Sequence, residues 1–147
     1  MLYLGADHGG FELKEDLKKF LKRSKIVFTD LGPEKLVADD DFTLYTEKVC
    51  RAVQKELTVN LGILICRSGH GVTIAANKFK GIRAALCWNE LVAKASRNDD
   101  HANVLCLPAD YISSEHAEEI VGAWLKTSFS EEPRYLRRLK HILDFEK

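Results

Sequence analysis

Short apolar runs alternate along the chain with segments in which apolar residues recur at helical spacing. The first run is Leu2–Ala6, and in the segment that follows, Phe11–Arg23, apolar residues recur at i, i+4, i+7 and i+8 from Leu13. This pattern predicts a β-strand followed by an amphipathic helix. The same alternation predicts further strands over 26–30, 61–66, 82–87 and 104–107, and helices over 42–56, 72–79, 89–98, 114–126 and from Pro133 onward.

Five strand–helix units in succession, without repeats or a linker, predict one parallel sheet with helices on both faces. The length of 147 residues fits a single domain, residues 1–147, because a chain of this size buries roughly 70% of its unfolded surface around one core. In such sheets ligands bind in the crevice outside the carboxyl ends of the strands. The polar candidates near strand ends are Asp7, His8, residues 66–71, Trp88, Asn89 and residues 99–101.

The composition narrows the classes of partner. The 22 Lys and Arg residues balance 22 Asp and Glu residues, which disfavours nucleic acid or an anionic membrane as the main partner. No apolar run approaches the roughly 18 residues that a membrane span needs, and the four separated cysteines suit neither a zinc site nor a disulfide framework. We therefore expect a cytoplasmic protein without a resident metal.

Cys66 ends an apolar strand where a glycine-bearing loop leads into a helix. Exposed backbone N–H groups and a helix N-terminus stabilise a thiolate, as does the adjacent Arg67. A thiolate at this position could abstract a proton or attack an electrophile. The alternative is a small buried hydrophobic residue, the usual role of free cysteine and the one expected for Cys50, Cys87 and Cys106.

Two further features suit an anionic ligand. The loop after Cys66 contains Ser68, Gly69, His70 and Gly71. Its glycines allow close backbone approach to a phosphate or a developing oxyanion, and it lacks the dinucleotide and P-loop patterns, so a small anion is favoured over a nucleotide. Arg134 and Arg138 lie at i and i+4 on the predicted last helix, where they form either a phosphate clamp or a solvated basic face.

A polar loop between the second strand and the second helix contains Asp39, Asp40 and Asp41. The simplest interpretation is a solvated connection. Three carboxylates this close could instead bind a hard cation, although their spacing is not that of an EF-hand.

Several motifs together resemble the family of ribose-5-phosphate isomerase B and galactose-6-phosphate isomerase, over nearly the whole chain. They are GADHGGFELK at 5–14, GILIC at 62–66, SGHG at 68–71, IAANK at 74–78, GIRAALC at 81–87 and ANVL at 102–105. The combination is far more specific than any single glycine motif.

The resemblance implies a three-layer α/β/α, Rossmann-like fold with a five-stranded parallel sheet. It also implies homodimers, or tetramers, whose active sites combine residues from two subunits. The implied activity is aldose–ketose isomerisation of a sugar phosphate, by proton transfer between C2 and C1 through a cis-enediolate, with neither metal nor nucleotide as cofactor.

The resemblance also implies roles for individual residues. Cys66 would be the base, and Ser68 with the N–H groups of residues 69–71 would steady the enediolate oxygens. The contacts to the sugar and to its phosphate would come from Asp7, His8, Arg134 and Arg138.

The chain departs from the family pattern at the position of a ring-opening histidine. Asp99, Asp100 and His101 stand where the family commonly has His-Asn-Asp. Asp99 could replace that histidine only in its protonated form, which the neighbouring Asp100 carboxylate favours, or His101 could act from two residues away.

Other departures concern the phosphate and the substrate. Asp110 replaces a family arginine and Arg67 replaces a glycine, so Arg67 is a candidate relocated phosphate ligand. The aromatic-Pro-Asp segment of the family appears as Phe42, Thr43 and Leu44, so a tyrosine hydroxyl is lost. The sequence favours isomerisation of ribose 5-phosphate. The alternatives are an isomerase of another aldose phosphate, either a hexose or a modified pentose, and a weakly catalytic sugar-phosphate-binding homologue.

Overall fold

The computed structural model describes residues 1–147 as five strands and six helices in regular alternation. In chain order the elements are β1 (Leu2–Ala6), α1 (Phe11–Arg23), β2 (Phe28–Asp30), α2 (Phe42–Gln54), β3 (Leu61–Cys66), α3 (His70–Ala76), β4 (Ala84–Leu86), α4 (Glu90–Asn98), β5 (Val104–Pro108), α5 (Ser114–Lys126) and α6 (Pro133–Asp144). The alternation predicted from the apolar pattern is confirmed.

All five strands run parallel in one sheet, in the order β2-β1-β3-β5-β4. Ala6 of β1 lies opposite Ile65 of β3, so the residues that follow these strands leave the sheet side by side. Cys66 of β3 lies opposite Pro108 of β5 in the same way. The loops after β1, β3 and β5 therefore converge at the carboxyl edge of the sheet.

Apolar side chains cover both faces of the sheet. One core cluster joins the strands to α1, α4 and α5 and contains Trp124. The other joins the opposite face to α2 and α3 and contains Val49. Ile65 belongs to the first cluster and Leu64 to the second, because successive strand residues face opposite sides. This is the predicted three-layer arrangement. None of the helices has the length and apolar composition of a membrane-spanning segment.

Two strands are shorter than the apolar pattern predicts. β2 begins at Phe28 because the N–H of Ile26 donates to Leu21 O at 2.9 Å, which closes the turn after α1. β4 begins at Ala84 because the N–H of Arg83 donates to the Asn103 side chain at 2.8 Å. In both cases a hydrogen bond outside the sheet takes the donor that a longer strand would use.

Lys14 of α1 is fully buried and ties the segment after β2 to the helix. Its ammonium group donates to the carboxylates of Asp30 and Glu15 and to the carbonyl of Pro33. Burial of Asp30 opposes its ionisation, but the hydrogen bonds from Lys14 and Lys18 outweigh this and lower its pKa. These bonds offset the high cost of burying an ammonium group and fix the start of the β2–α2 loop.

Gly10 allows the β1–α1 turn to pass against the central strand. A Cβ at Gly10 would lie 2.6 Å from the carbonyl oxygen of Ile65 and 2.7 Å from its carbonyl carbon, which are backbone atoms held in the sheet. We therefore predict that Gly10→Ala lowers the free energy of unfolding by about 1–3 kcal/mol. Chemical denaturation measures the change.

The matched control is Gly122→Ala in the middle of α5, where the nearest atom to an added Cβ is 3.7 Å away. We expect this variant to gain about 0.5–1 kcal/mol, because alanine loses less backbone entropy in a helix. Equal destabilisation by the two substitutions would show that contact with Ile65 does not constrain Gly10.

Candidate active site

Asp7 and His8 follow β1 at the carboxyl edge of the sheet. Asp7 is 6% exposed, and its Oδ1 accepts a hydrogen bond from the N–H of Gly10 at 3.1 Å. Burial raises the pKa of Asp7, although this hydrogen bond and the nearby His8 oppose the rise. The side chain of His8 is 31% exposed. Asp7 is thus a fixed, buried acceptor, and His8 lies beside it within reach of a ligand.

Asp40, from the β2–α2 loop, contacts His8 twice. The backbone N–H of His8 donates to Asp40 Oδ1 at 2.8 Å, and the ring Nδ1 lies 2.9 Å from the same oxygen. The side-chain bond raises the pKa of His8. Burial of Asp40 favours its neutral form, but the bonds from His8 outweigh burial and lower the pKa of Asp40. A carboxylate can only accept, so Nδ1 carries a proton and Nε2 is free for a ligand.

The prediction of a solvated loop is wrong for Asp40, although Asp39 and Asp41 are exposed. A φ of +60° at Asp39 turns the chain just before Asp40. The ligand atoms of Asp7, His8 and Asp40 lie within 4.8 Å of one another, and the hydrogen bonds between His8 and Asp40 account for this proximity. The position of Asp40 beside His8 follows from the pairing of β2 with β1, because loops that follow neighbouring parallel strands leave the sheet at the same edge.

Cys66 is the last residue of β3 and is 6% exposed, whereas Cys50, Cys87 and Cys106 are 0% exposed. Burial raises the pKa of Cys50 to about 12 and that of Cys87 to about 11. Burial also raises the pKa of Cys106. These three cysteines are buried core residues, as predicted. Cys66 is also buried and belongs to the second core cluster, but it alone is the last residue of a strand at the carboxyl edge, and it is the most exposed of the four cysteines.

The loop after Cys66 is shaped by Gly69, whose φ is +74°. This conformation favours glycine, and a Cβ there would also lie 2.4 Å from Cδ1 of Leu86. Ser68 Oγ accepts a hydrogen bond from the N–H of His70 at 3.3 Å, and Thr73 Oγ1 donates to Gly69 O at 2.6 Å. The loop is therefore ordered directly beside Cys66.

A cavity of about 390 Å³ opens beside this loop. It is lined by Ser68, His70, Leu86, Trp88, Pro108 and Tyr111. Because Pro108 is paired with Cys66 across the sheet, the cavity adjoins the end of β3. It offers a polar hydroxyl and two aromatic faces to a small ligand. Tyr111 was not identified from the sequence, since it lies two residues beyond the first residue after β5.

The two charged departures from the family pattern, Arg67 and Asp110, pair with each other. Arg67 Nη1 lies 3.3 Å from Asp110 Oδ2, and the side chains are 64% and 45% exposed. The Arg67 side chain crosses Gly9, where a Cβ would lie 2.4 Å from Arg67 Cγ. Exposed ion pairs are weak. Arg67 is therefore held near the site but can exchange Asp110 for an anionic ligand.

The other predicted site residues lie at the opposite, amino edge of the sheet. Asp99, Asp100 and His101 stand between α4 and β5, before the start of β5. The expectation that they share a crevice with Cys66 is not met within one chain. Loops that lead into parallel strands and loops that follow them leave a sheet at opposite edges. Asp100 lines a separate cavity with Ile82 near the start of β4.

Arg134 and Arg138 belong to this amino-edge group. Burial and the Asp99 carboxylate raise the pKa of Asp100, and Arg138 opposes the rise. Arg134 Nη2 donates to the hydroxyl of Tyr135 at 2.8 Å. Burial and Asp99 also raise the pKa of Tyr135. The arginines and the two aspartates therefore form one cluster.

His101 makes different contacts from its neighbours Asp99 and Asp100. Its ring stacks on Phe129 with centroids 4.7 Å apart and an interplanar angle of 3°. Burial, together with Arg83 and Arg97, lowers the pKa of His101. In this position His101 secures the connection between α5 and α6, whereas Asp99 lies in the cluster with the arginines.

Residues 2–142 match the sequence profile of a protein family described as Ribose/Galactose Isomerase. This chain belongs to that family. Ribose-5-phosphate isomerase B of Mycobacterium tuberculosis is 33% identical, over 99% of this chain and 90% of that protein. Crystal structures of ribose-5-phosphate isomerase B are also similar. The Mycoplasma genitalium structure, with bound ribulose-5-phosphate, has a TM-score of 0.95 at 38% identity and covers 99% of this chain and 95% of that one. The Thermotoga maritima structure has a TM-score of 0.92 at 36% identity, with 97% of each chain covered.

The family resemblance and the Rossmann-like fold expected from the motifs are thus confirmed for this ribose/galactose isomerase family member. The match spans both the carboxyl-edge and the amino-edge groups of residues, since it extends from residue 2 to residue 142.

We predict that iodoacetamide modifies Cys66 of the folded protein before the other three cysteines. Cys50, Cys87 and Cys106 are 0% exposed, and burial raises the pKa of each of these thiols, which disfavours the reactive thiolate. Peptide mass spectrometry of samples quenched at successive times gives the four rates. Protein unfolded in guanidinium chloride is the control and should react at all four cysteines, whereas equal rates in the folded protein would contradict the assignment.

Proposed function

We propose that this protein is an aldose–ketose isomerase that interconverts ribose 5-phosphate and ribulose 5-phosphate. The observation that carries the proposal is the carboxyl-edge group, in which Cys66 adjoins the ordered Ser68 loop and lies next to Asp7 and His8, which follow the paired strand β1. Its family membership and its similarity to a structure with bound ribulose-5-phosphate support the same substrate class.

In the proposed reaction Cys66, as the thiolate, takes the proton from C2 of the open-chain aldose and returns it to C1. The hydroxyl proton of O2 moves to O1, so the aldehyde becomes the C1 alcohol and C2 becomes the ketone. Ser68 and the N–H groups of Gly69 and Gly71 stabilise the enediolate charge that develops between these steps. Asp7 and His8 contact the sugar.

Asp99 is the proposed proton donor for opening of the furanose ring, and Arg134 and Arg138 bind the phosphate. Asp100 adjoins these residues and is a further proposed contact to the substrate. They lie at the opposite edge of the sheet from Cys66 in the same chain, so we propose a homodimer in which one copy completes the site of the other. The exposed apolar side chains of α6 support such a contact, since Leu136 is 47% and Leu143 is 39% exposed.

Replacement of the base tests the chemistry. We expect Cys66→Ala to lower kcat by about 10²–10⁴-fold, since the proton acceptor at C2 is lost. NMR of ribose 5-phosphate in D2O follows both interconversion and deuterium incorporation. Cys50→Ala, which removes a buried thiol of the core, is the control and should keep near-normal turnover. Full turnover in Cys66→Ala would exclude Cys66 as the base.

Mixing two inactive variants tests whether the site is shared between copies. Cys66→Ala and Arg134→Ala each impair one edge, so a mixed dimer contains one intact site and one doubly altered site. After unfolding and refolding together in equal amounts, we expect about a quarter of the wild-type activity, because half of a random population of dimers is mixed. Native mass spectrometry verifies that mixed dimers form. Mixed dimers without recovered activity would contradict the shared site.

The aromatic cavity and the Arg67–Asp110 pair favour a second candidate function, isomerisation of a different aldose phosphate. Trp88 and Tyr111 beside Ser68 add contact surface for a longer sugar. A panel of pentose and hexose phosphates, compared by kcat/KM, separates the two candidates. Thermal stabilisation by sugar phosphates without turnover of any of them would instead identify a binding protein.

A further inference from the structure

The contact between Asp40 and His8 has the geometry of a carboxylate that orients an imidazole. One oxygen, Asp40 Oδ1, accepts from both the backbone N–H of His8 at 2.8 Å and the ring Nδ1 at 2.9 Å. The Asp40 side chain is 6% exposed, whereas that of His8 is 31% exposed. The carboxylate is therefore shielded from solvent and acts on a ligand only through the ring.

We infer that Asp40 is a positioning residue that directs Nε2 of His8 to the bound sugar phosphate and favours the positively charged form of the imidazole ring. The inference rests on the proposed function, because it assigns the anionic substrate as the partner of His8. A bond at Nδ1 leaves Nε2 as the available donor. A hydrogen bond from a positively charged donor to an oxygen of the substrate is shorter and stronger than a bond between two neutral groups.

The other charged groups around His8 lie on four loops, which follow β1, β2, β3 and β5. Asp40 and Asp7 favour the imidazolium, and Arg67 disfavours it, with a net rise in the pKa of His8. Asp110 pairs with Arg67 at 3.3 Å and partly offsets its charge. The ring is thus protonated to a higher pH than an isolated histidine, and this state is lost as the pH rises through the raised pKa.

A comparison of Asp40 with Asp39 separates the effect of the contact with His8 from the effect of a negative charge in the same loop. Asp39 is exposed, carries the same formal charge as Asp40 and lies one residue away. Its φ of +60° is a conformation that asparagine tolerates well. Asp39→Asn therefore removes one negative charge from the same loop without changing the bond to His8.

The main test is Asp40→Asn, which keeps an oxygen that accepts from His8 but removes the charge. We expect KM for ribose 5-phosphate to rise about tenfold at pH 7, the loss of one charge-assisted bond, with kcat changed less than about twofold. The pH at which KM begins to rise should also shift downward. Ionisation of the substrate phosphate is the same for every variant, so the shift reports on the protein. Asp39→Asn should have the same KM and the same pH dependence of KM as the wild type.

An NMR titration of the His8 ring provides a readout that does not depend on turnover. The His8 signal is assigned with His8→Gln, and its titration midpoint should fall to lower pH in Asp40→Asn and stay unchanged in Asp39→Asn. Asp40→Ser, which removes the charge with a smaller side chain, replaces Asp40→Asn if that variant does not fold.

Equal titrations of His8 in the wild type and Asp40→Asn, or the same KM profile in Asp40→Asn and Asp39→Asn, would overturn the inference. Failure of the wild type to convert any sugar phosphate would instead contradict the proposed function. In that case the His8 titration still decides whether Asp40 controls the charge of the ring.

Discussion

The parallel pairing of β1 with β3 is the interaction on which both the core and the candidate site depend. Ala6 lies opposite Ile65, which brings the residues after β1 beside Cys66 and its loop. Gly10 maintains this approach because no side chain fits between the turn and the carbonyl of Ile65. A register shift of one residue would turn each strand side chain to the other face of the sheet, so packing and chemistry are fixed by the same alignment.

Charge in this molecule is balanced within short distances as well as over the whole chain. At the carboxyl edge His8 pairs with Asp40 and Arg67 with Asp110, and at the amino edge Arg138 faces carboxylates. An anionic ligand that binds one of these cations therefore competes with the carboxylate already paired with it, or binds the cation together with that carboxylate. This arrangement explains how a chain of zero formal net charge can still present cations to an anionic ligand.

The sequence predicted the features that depend on burial of apolar residues. It was less informative about the features that depend on loop geometry. Apolar periodicity predicted the alternation of strands and helices, and the position of Cys66 after a buried strand identified it as a candidate. Asp40 was missed because its orientation follows a positive φ at Asp39, which no periodicity records. The side-chain bond from Asn103 that shortens β4 is also formed by residues distant in sequence. The separation of Asp99 from Cys66 follows from strand direction, because Asp99 precedes β5 whereas Cys66 ends β3.

The edge strands of the sheet have a consequence for how copies of the chain can associate. β2 and β4 lie at the edges and are only three residues long. On β4 the side-chain amide of Asn77 accepts from the N–H of Ala84 and donates to its carbonyl, each at 2.9 Å. A foreign strand therefore finds little unpaired backbone to extend. The edges of this sheet therefore disfavour growth into cross-β aggregates.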